Sequence, residues 1–229
     1  GSSFFRITIK LPDAVYRAAE EIMTRCSPCL DREEYILVCG TKARRKRGMV
    51  LKKKINVFDY AGDIMKALDK GVLITTKADG KVDSMTLGWG TLGIDWSLPV
   101  FTAYIRKSRF TKEQLEKNPE FTVNVPYGAF DPKSLGVCGT KSGRDMDKAK
   151  ELGLTLVDPE VISVPAVKEL PLTLECRVVC VEKQNTDTMP EEILKEHYPS
   201  EKPTPFGGSL ENYHYAFYGQ IVSAYMIED

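Results

Sequence analysis

Val72-Leu73-Ile74-Thr75-Thr76, a break at Ala78-Asp79-Gly80-Lys81, and a return from Ser84 to Trp89 form the stretch that decides the fold. The first arm is apolar and β-branched. Asp-Gly is a hairpin dipeptide because both of its residues tolerate the positive φ of a tight turn. Outward from this hairpin, Pro99 to Arg106 reads as a third strand, rich in Val, Phe, Thr, Tyr and Ile, and Phe121 to Val125 as a fourth. Leu170 to Lys183 and Tyr213 to Met226 are long late strands. Six strands with only short helices between them argue against a doubly wound α/β fold. They predict a mainly β protein, a barrel or sandwich decorated with helices.

The helices are brief but marked. Thr111-Lys112-Glu113-Gln114 has the form of a capping box, with the threonine hydroxyl on a backbone N–H and the glutamine reaching back. Phe110 and Leu115 on either side fit the hydrophobic staple. Asp131-Pro132 opens a second short helix, and Arg144-Asp145 a third that Gly153 ends. A capped helix start turns free N–H groups and the positive end of a dipole toward what precedes it, which suits an anion. What precedes it is Arg106-Lys107-Ser108-Arg109-Phe110, ending on Thr111: three cations and two hydroxyls at a strand end. Guanidinium forks, an ammonium and helix N–H groups together suit a phosphate monoester. The same residues also fit a solvated polar turn.

Gly88-Trp89-Gly90-Thr91-Leu92-Gly93 matches G-x-G-x-x-G after a strand. A dinucleotide fingerprint needs a helix next, whose N-terminus holds the pyrophosphate. Here Ile94-Asp95-Trp96-Ser97-Leu98-Pro99 follows and then another strand, so the match is a decoy.

The 229 residues suit one domain with an appendage, and 42% apolar with 28% charged residues is the balance of a globular chain. No apolar run approaches the roughly 18 residues of a membrane-spanning helix. Thirty-two basic residues against 32 acidic ones remove the global charge of a dedicated nucleic-acid binder. The neutrality conceals an asymmetry. Residues 1–54 hold 13 Lys and Arg against 6 Asp and Glu, and residues 55–229 hold 19 against 26. A basic front piece of unknown role, α+β or irregular, is therefore expected over 1–54, and a mildly acidic body over 55–229.

In the front piece, Phe5, Ile7 and Ile9 alternate as a short strand, and Pro12-Asp13 opens an amphipathic helix. Cys26-Ser27-Pro28-Cys29 spaces two thiols for a metal or a dithiol, with Cys39 the one nearby partner, whereas structural zinc needs four ligands. Unpaired thiols are the favoured reading, and no metal site is expected. The basic run Lys42, Arg44, Arg45, Lys46 and Arg47, continued by Lys52 to Lys54, has no interleaved aromatic for base stacking and reads as a solvated linker. Six cysteines are too sparse for a disulfide scaffold, and no signal-like apolar region follows residue 1, so a cytoplasmic setting is expected.

Taken in order, several motifs resemble the flavin reductase-like, or flavoredoxin, proteins. They are Asp79-Gly80-Lys-Val-Asp83-Ser-Met85-Thr86-Leu-Gly-Trp89-Gly90, Arg106-Lys-Ser-Arg-Phe-Thr111 and Phe121-Thr-Val-Asn-Val-Pro126, then Ser142-Gly-Arg-Asp-Met-Asp-Lys148, Leu172-Thr-Leu-Glu-Cys176 and His214-Tyr-Ala-Phe-Tyr-Gly219. The resemblance runs from about residue 55 to the C-terminus. It implies a split β-barrel that binds FMN non-covalently, as a homodimer with the flavin near the subunit interface. By position it implies Asp83, Met85, Thr86 and Trp89 along the flavin ring. It puts Arg106, Lys107, Ser108, Arg109 and Thr111 around the ribityl phosphate, and Lys148 and His214 at further cofactor positions. Many relatives have asparagine where Asp83 stands. Some continue past the last strand and supply an aromatic there. The insert from Asn185 to Asn212, with a short helix around Glu191 to His197, is the candidate for a lid in its place.

FMN carries its own redox chemistry, and the protein must hold it, exclude water and tune its potential. A cation near the ring would stabilise the anionic reduced flavin, and Lys148 and His214 are the candidates. His214 as a partly exposed strand residue, and Trp89 and Trp96 as core aromatics, remain open alternatives. The expected function is an oxidoreductase that passes electrons from NADH or NADPH through FMN to an acceptor. The alternative is a flavoredoxin-like carrier reduced by a partner protein. A homodimer is expected, with its seam on Tyr213, Tyr215 and Phe217; neither nucleic acid nor membrane is an expected partner.

Overall fold

The computed structural model describes residues 50–200, 203–204 and 207–228. The expected front strand and helix, Cys26, Cys29, Cys39 and the run Lys42 to Arg47 lie outside the described residues. Its strands are β1 (Leu51–Lys54), β2 (Val72–Ala78), β3 (Lys81–Leu87), β4 (Gly90–Asp95), β5 (Leu98–Arg106) and β6 (Glu120–Val125). Two short strands follow, β7 (Leu156–Val157) and β8 (Ala166–Val167), then the long β9 (Leu172–Lys183) and β10 (His214–Glu228). The helices are α1 (Ala61–Lys70), α2 (Phe110–Lys117), α3 (Lys133–Thr140), α4 (Lys148–Leu152) and α5 (Glu191–His197). None of the described helices is long and apolar enough to cross a membrane.

Eight strands form one antiparallel sheet in the order β3-β2-β6-β9-β10-β5-β4, with β1 on β10. β10 is its spine. One edge pairs with β9 from Tyr215 to Met226; the other pairs first with β5 from His214 to Gln220 and then with β1 from Tyr225 to Glu228. The sheet thus takes in Leu51–Lys54, which the charge pattern had grouped with the front piece.

The sheet rolls around one core, a mainly β split barrel with short helices. Alternate residues of distant strands meet there: Ile74 of β2, Met85 of β3, Phe101 of β5, Phe121 of β6, Leu174 of β9 and Phe217 of β10, closed at one end by Ile64 and Leu68 of α1. β2 is buried on both faces, which explains its unbroken apolar and threonine run. Its second face meets Leu135 and Cys138 of α3 through Leu73. Beside them the Thr75 hydroxyl lies 2.8 Å from that of Ser84, and Asn124 Nδ2 donates to Thr75 Oγ1 and Thr122 Oγ1, both at 3.1 Å. Buried hydroxyls survive because each has a partner.

The turn at Asp79-Gly80 has φ of 50° and 75°, as the hairpin required. The G-x-G-x-x-G segment lies in the β3–β4 link and in β4 itself. Gly90 is glycine because a Cβ there would come within 2.8 Å of Thr102 O and 3.1 Å of the Phe101 ring. Packing, not a phosphate, demands it.

Three local expectations are corrected. α2 begins at Phe110 with Arg109 as its N-cap, and no side chain caps it. Thr111 lies buried inside the first turn. Gln114 does not reach back: it accepts from Thr76 Oγ1 (2.5 Å) and donates to Lys81 O (2.9 Å), tying α2 to the β2–β3 hairpin. Tertiary partners outcompeted the local box. The third helix starts later than Arg144, at Lys148, because the Asp147 carboxylate caps Lys150 N–H; Gly153 ends it in the left-handed conformation. Phe217 is a core residue and not part of a seam.

β10 carries register shifts at Tyr218/Gly219 and Ile221/Ser223. A Cβ on Gly219 would stand 2.4 Å from the Phe121 ring and 2.9 Å from Cys176 Cβ, so β10 runs hard against the core there. Gly219→Ala should therefore destabilise the protein by about 1–3 kcal/mol in urea unfolding. Gly93→Ala, whose added methyl meets nothing within 4 Å, should leave the midpoint nearly unchanged.

Candidate functional site

Two cavities adjoin on one side of the barrel. The larger, about 620 Å³, lies between the end of β3, the β3–β4 link, the end of β5, α3 and the insert that carries α5. The smaller, about 200 Å³, lies between β3, the start of α2 and the segment Thr140 to Lys148. Met85, Arg109 and Thr140 line both.

The predicted site residues divide between them. Met85, Thr86, Trp89, Arg106, Arg109 and His214 line the larger cavity. Asp83, Met85, Ser108, Arg109, Thr111 and Lys148 line the smaller. Lys107 lines neither; its ammonium stands over the Tyr213 ring at 5.8 Å. β5 ends at Arg106, and Lys107 stands in the turn beyond it. The cation cluster that looked continuous in sequence is therefore divided in space.

The floor of the smaller cavity is an ion pair. Lys148 Nζ lies 3.0 Å from Asp83 Oδ1 and 3.2 Å from Oδ2 and donates to Ser84 O at 2.7 Å; both charged side chains are 2% exposed. Burial pushes the Asp83 carboxyl upward, and the Lys148 charge opposes that shift. Oδ1 has the ammonium close by but no well-directed hydrogen bond. Above the floor, Arg109 donates to Gly139 O (3.1 Å), and Arg144 donates to Ser108 O (3.2 Å) and to the Glu113 carboxylate. Arg144 lay inside a quoted motif, but nothing in the sequence marked it as a member of this cluster.

The larger cavity is built around Trp89. His214 lies against the indole at 4.6 Å between ring centroids and 34° between planes, and His197 of α5 meets it edge-on at 5.0 Å. The Arg106 guanidinium stands 5.9 Å from the same ring. The buried Tyr198 hydroxyl bonds both Gln184 Oε1 (3.1 Å) and His214 Nδ1. Burial, followed by the charges of Arg106 and Arg109, holds the His214 pKa down at about 3. A neutral imidazole cannot be the cation expected near a flavin, and the ammonium of Lys148 is matched by Asp83. Tyr198, His197 and Thr204 were not legible as site residues. Their one signal was the insert's place among the late strands.

Residues 65–229 match the model of the flavin reductase like domain. An uncharacterized protein of Archaeoglobus fulgidus is 35% identical over 99 residues, 43% of this chain and 55% of the relative. The chain spans about half the length of the curated relatives it matches. Among solved structures, the flavoredoxin from Methanosarcina acetivorans is 28% identical with a TM-score of 0.50, over 68% of this chain and 67% of that one. Nitrilotriacetate monooxygenase component B from Bacillus cereus, 13% identical, shares the fold with a TM-score of 0.53 over 82% of each chain.

Two outcomes follow from the buried charges. Lys148→Met leaves the Asp83 carboxylate buried and unpaired and should cost about 3–5 kcal/mol in chemical denaturation, most of it regained by adding Asp83→Asn. His214 should show no titration of its ring resonances between pH 5 and 8. Its folded pKa of about 3 lies below the ordinary 6.5, so the unfolded chain binds the proton first as pH falls. Its contribution to stability is present above pH 6.5 and is lost as pH falls toward 3. His214→Asn should flatten the fall in stability over that window.

Proposed function

The chain belongs to the flavin reductase-like domain family, and from that premise we propose an FMN-binding oxidoreductase that passes electrons from NADH or NADPH through the flavin to an acceptor. The observation that carries the reading is the pair of joined cavities, one polar and cationic at a helix start, the other apolar and aromatic. A volume of about 620 Å³ is ample for a planar ring system. Ser108, Arg109 and Thr111, joined by Arg144, would take the ribityl phosphate in the smaller cavity at the start of α2. Met85, Thr86 and Trp89 would lie along the ring in the larger, and Thr86 is steadied for this by its bond to Leu135 O at 2.6 Å. FMN, when bound, supplies the two-electron and one-electron chemistry. The chain orients it, shields it under α5 and sets the charge around it. With Asp83 offsetting Lys148 and His214 neutral, Arg109, which lines both cavities, is the cation nearest to the whole length of the cofactor in this reading. In this reading the insert carrying α5 is the lid.

The working unit in this proposal is a homodimer. Ile94 and Trp96 at the β4–β5 turn are 72% and 56% exposed, with the Trp96 ring against Tyr218 of β10. Both Trp96 (φ 49°) and Ser97 (φ 59°) sit in the left-handed region, as the two central residues of a tight hairpin turn do.

The visible spectrum of purified protein should show bound flavin, identified as FMN by chromatography after acid release. Anaerobic mixing with NADH or NADPH should bleach it. Failure to bleach favours the second reading, a carrier reduced by a partner protein, to which the similarity with a flavoredoxin already points. Arg109→Ala should weaken FMN binding by about tenfold to a hundredfold, the loss of one charge-assisted bond to a dianion. Riboflavin, which has no phosphate, should bind almost as before. Equal weakening of both ligands would remove the phosphate assignment.

A further inference from the structure

Arg106 is left over once FMN has been provided for. Ser108, Arg109, Thr111 and Arg144 make a complete phosphate set in the smaller cavity, which Arg106 does not line. It faces the larger cavity instead, beside Trp89. Among the described residues its guanidinium has no ion pair and no hydrogen-bond partner, and Nη1 is wholly buried without one. Arg109, by contrast, is anchored on Gly139 O. The backbone of Gly208 closes over Arg106 Nη1: a Cβ at Gly208 would lie 2.1 Å from that atom. The one carboxylate on the cavity wall, Glu196, is directed at His197 with 3.8 Å between Oε2 and Nε2.

A guanidinium that lines a cavity with no ion pair and no hydrogen bond calls for a ligand, which would meet it on the side that Gly208 does not cover. Its chemistry names that ligand, because a guanidinium fork suits a carboxylate. The surroundings describe the rest of the molecule. Trp89, His197 and His214 present aromatic rings, and Leu135 and Gly136 add an apolar wall. We propose that the larger cavity holds, beside the flavin, a subsite for a small planar carboxylate, with Arg106 binding its carboxylate and Trp89 its planar body. Burial lowers the guanidinium's pKa from its ordinary value, and a bound anion would offset that cost. As a reading of what the flavin would meet, this rests on the FMN assignment. Arg106, which the family resemblance implied at the ribityl phosphate, is in this proposal given to the second ligand.

Benzoate is the probe, with benzamide as its neutral isostere. Titrated into FMN-saturated protein at constant ionic strength, benzoate should perturb the flavin's visible absorption saturably, and benzamide should bind about tenfold more weakly or worse. Arg106→Gln should weaken benzoate by about tenfold or more while FMN affinity stays within about twofold. Lys107→Gln, outside both cavities, should change neither. Equal binding of benzoate and benzamide overturns the proposal. So does an Arg106→Gln chain that loses FMN but keeps riboflavin, since the guanidinium would then serve the cofactor's phosphate. If the protein takes up no flavin, the FMN reading fails by itself, and tryptophan fluorescence of the flavin-free chain decides: saturable quenching by benzoate and not benzamide supports the subsite, and its absence overturns it. Should Arg106→Gln not fold, Arg106→Lys takes its place, with benzoate weakened but still preferred over benzamide.

Discussion

A single strand that pairs with three others, two of them sharing one of its edges, is the constraint on which the molecule depends. β10 joins β9, β5 and β1, and its ladder with β9 is broken by two register shifts, one with the extra residue Val179 on β9 and one with Val222 on β10. At Gly219 the strand comes too close to Phe121 and Cys176 to leave room for a side chain. Because β10 starts at His214 opposite Arg106, the same pairing that builds the barrel also sets a neutral imidazole beside a guanidinium at the mouth of the larger cavity. Fold and site share one register. A slip of one residue would exchange the two faces and empty the cavity of both groups.

A second anchor holds the other side. Glu175 is wholly buried in β9, yet it accepts the N–H groups of Glu160, Val161 and Ile162 and the hydroxyl of Tyr225. One carboxylate thereby ties the loop before β8 to the spine. Charged groups below the surface of this protein are each answered by such partners, Asp83 by Lys148 and Glu175 by backbone donors. Arg106 is the exception among the described residues, and the exception stands in the cavity. That contrast gives the guanidinium its meaning: where burial of a charge is costly, an unanswered one marks a place for a ligand.

The electrostatics of the site differ from what its residue types suggest. Counted in sequence, Lys148 and His214 are the natural cations near a flavin. In space one is offset by Asp83, and the other is held neutral by burial and by the arginines around it. The same holds for Thr111 and Gln114. Their spacing fits a reciprocal cap, but Gln114 is drawn to Thr76 and Lys81 because those buried groups would otherwise go unsatisfied.

The sequence by itself determined six of the ten described strands, the Asp79-Gly80 hairpin and the motif order that marks the family. All three rest on local rules: period-two patterning, turn residues that accept positive φ, and runs of side chains read in order. It also marked the residues that would gather, since Asp83, Met85, Ser108, Arg109, Thr111 and Lys148 do line one cavity. Tertiary structure alone decided the division of the Arg106 to Thr111 cluster between two cavities, the neutralisation of Lys148, and the arrival of His197 and Tyr198 from the insert. It also decided that Leu51–Lys54 is a strand of the sheet, because β10 extends past the end of β5 and leaves an edge to be paired. In each case the deciding quantity is a distance between residues far apart in the chain. Burial and pairing set a group's charge and partners, and neither is a property of its neighbours in sequence.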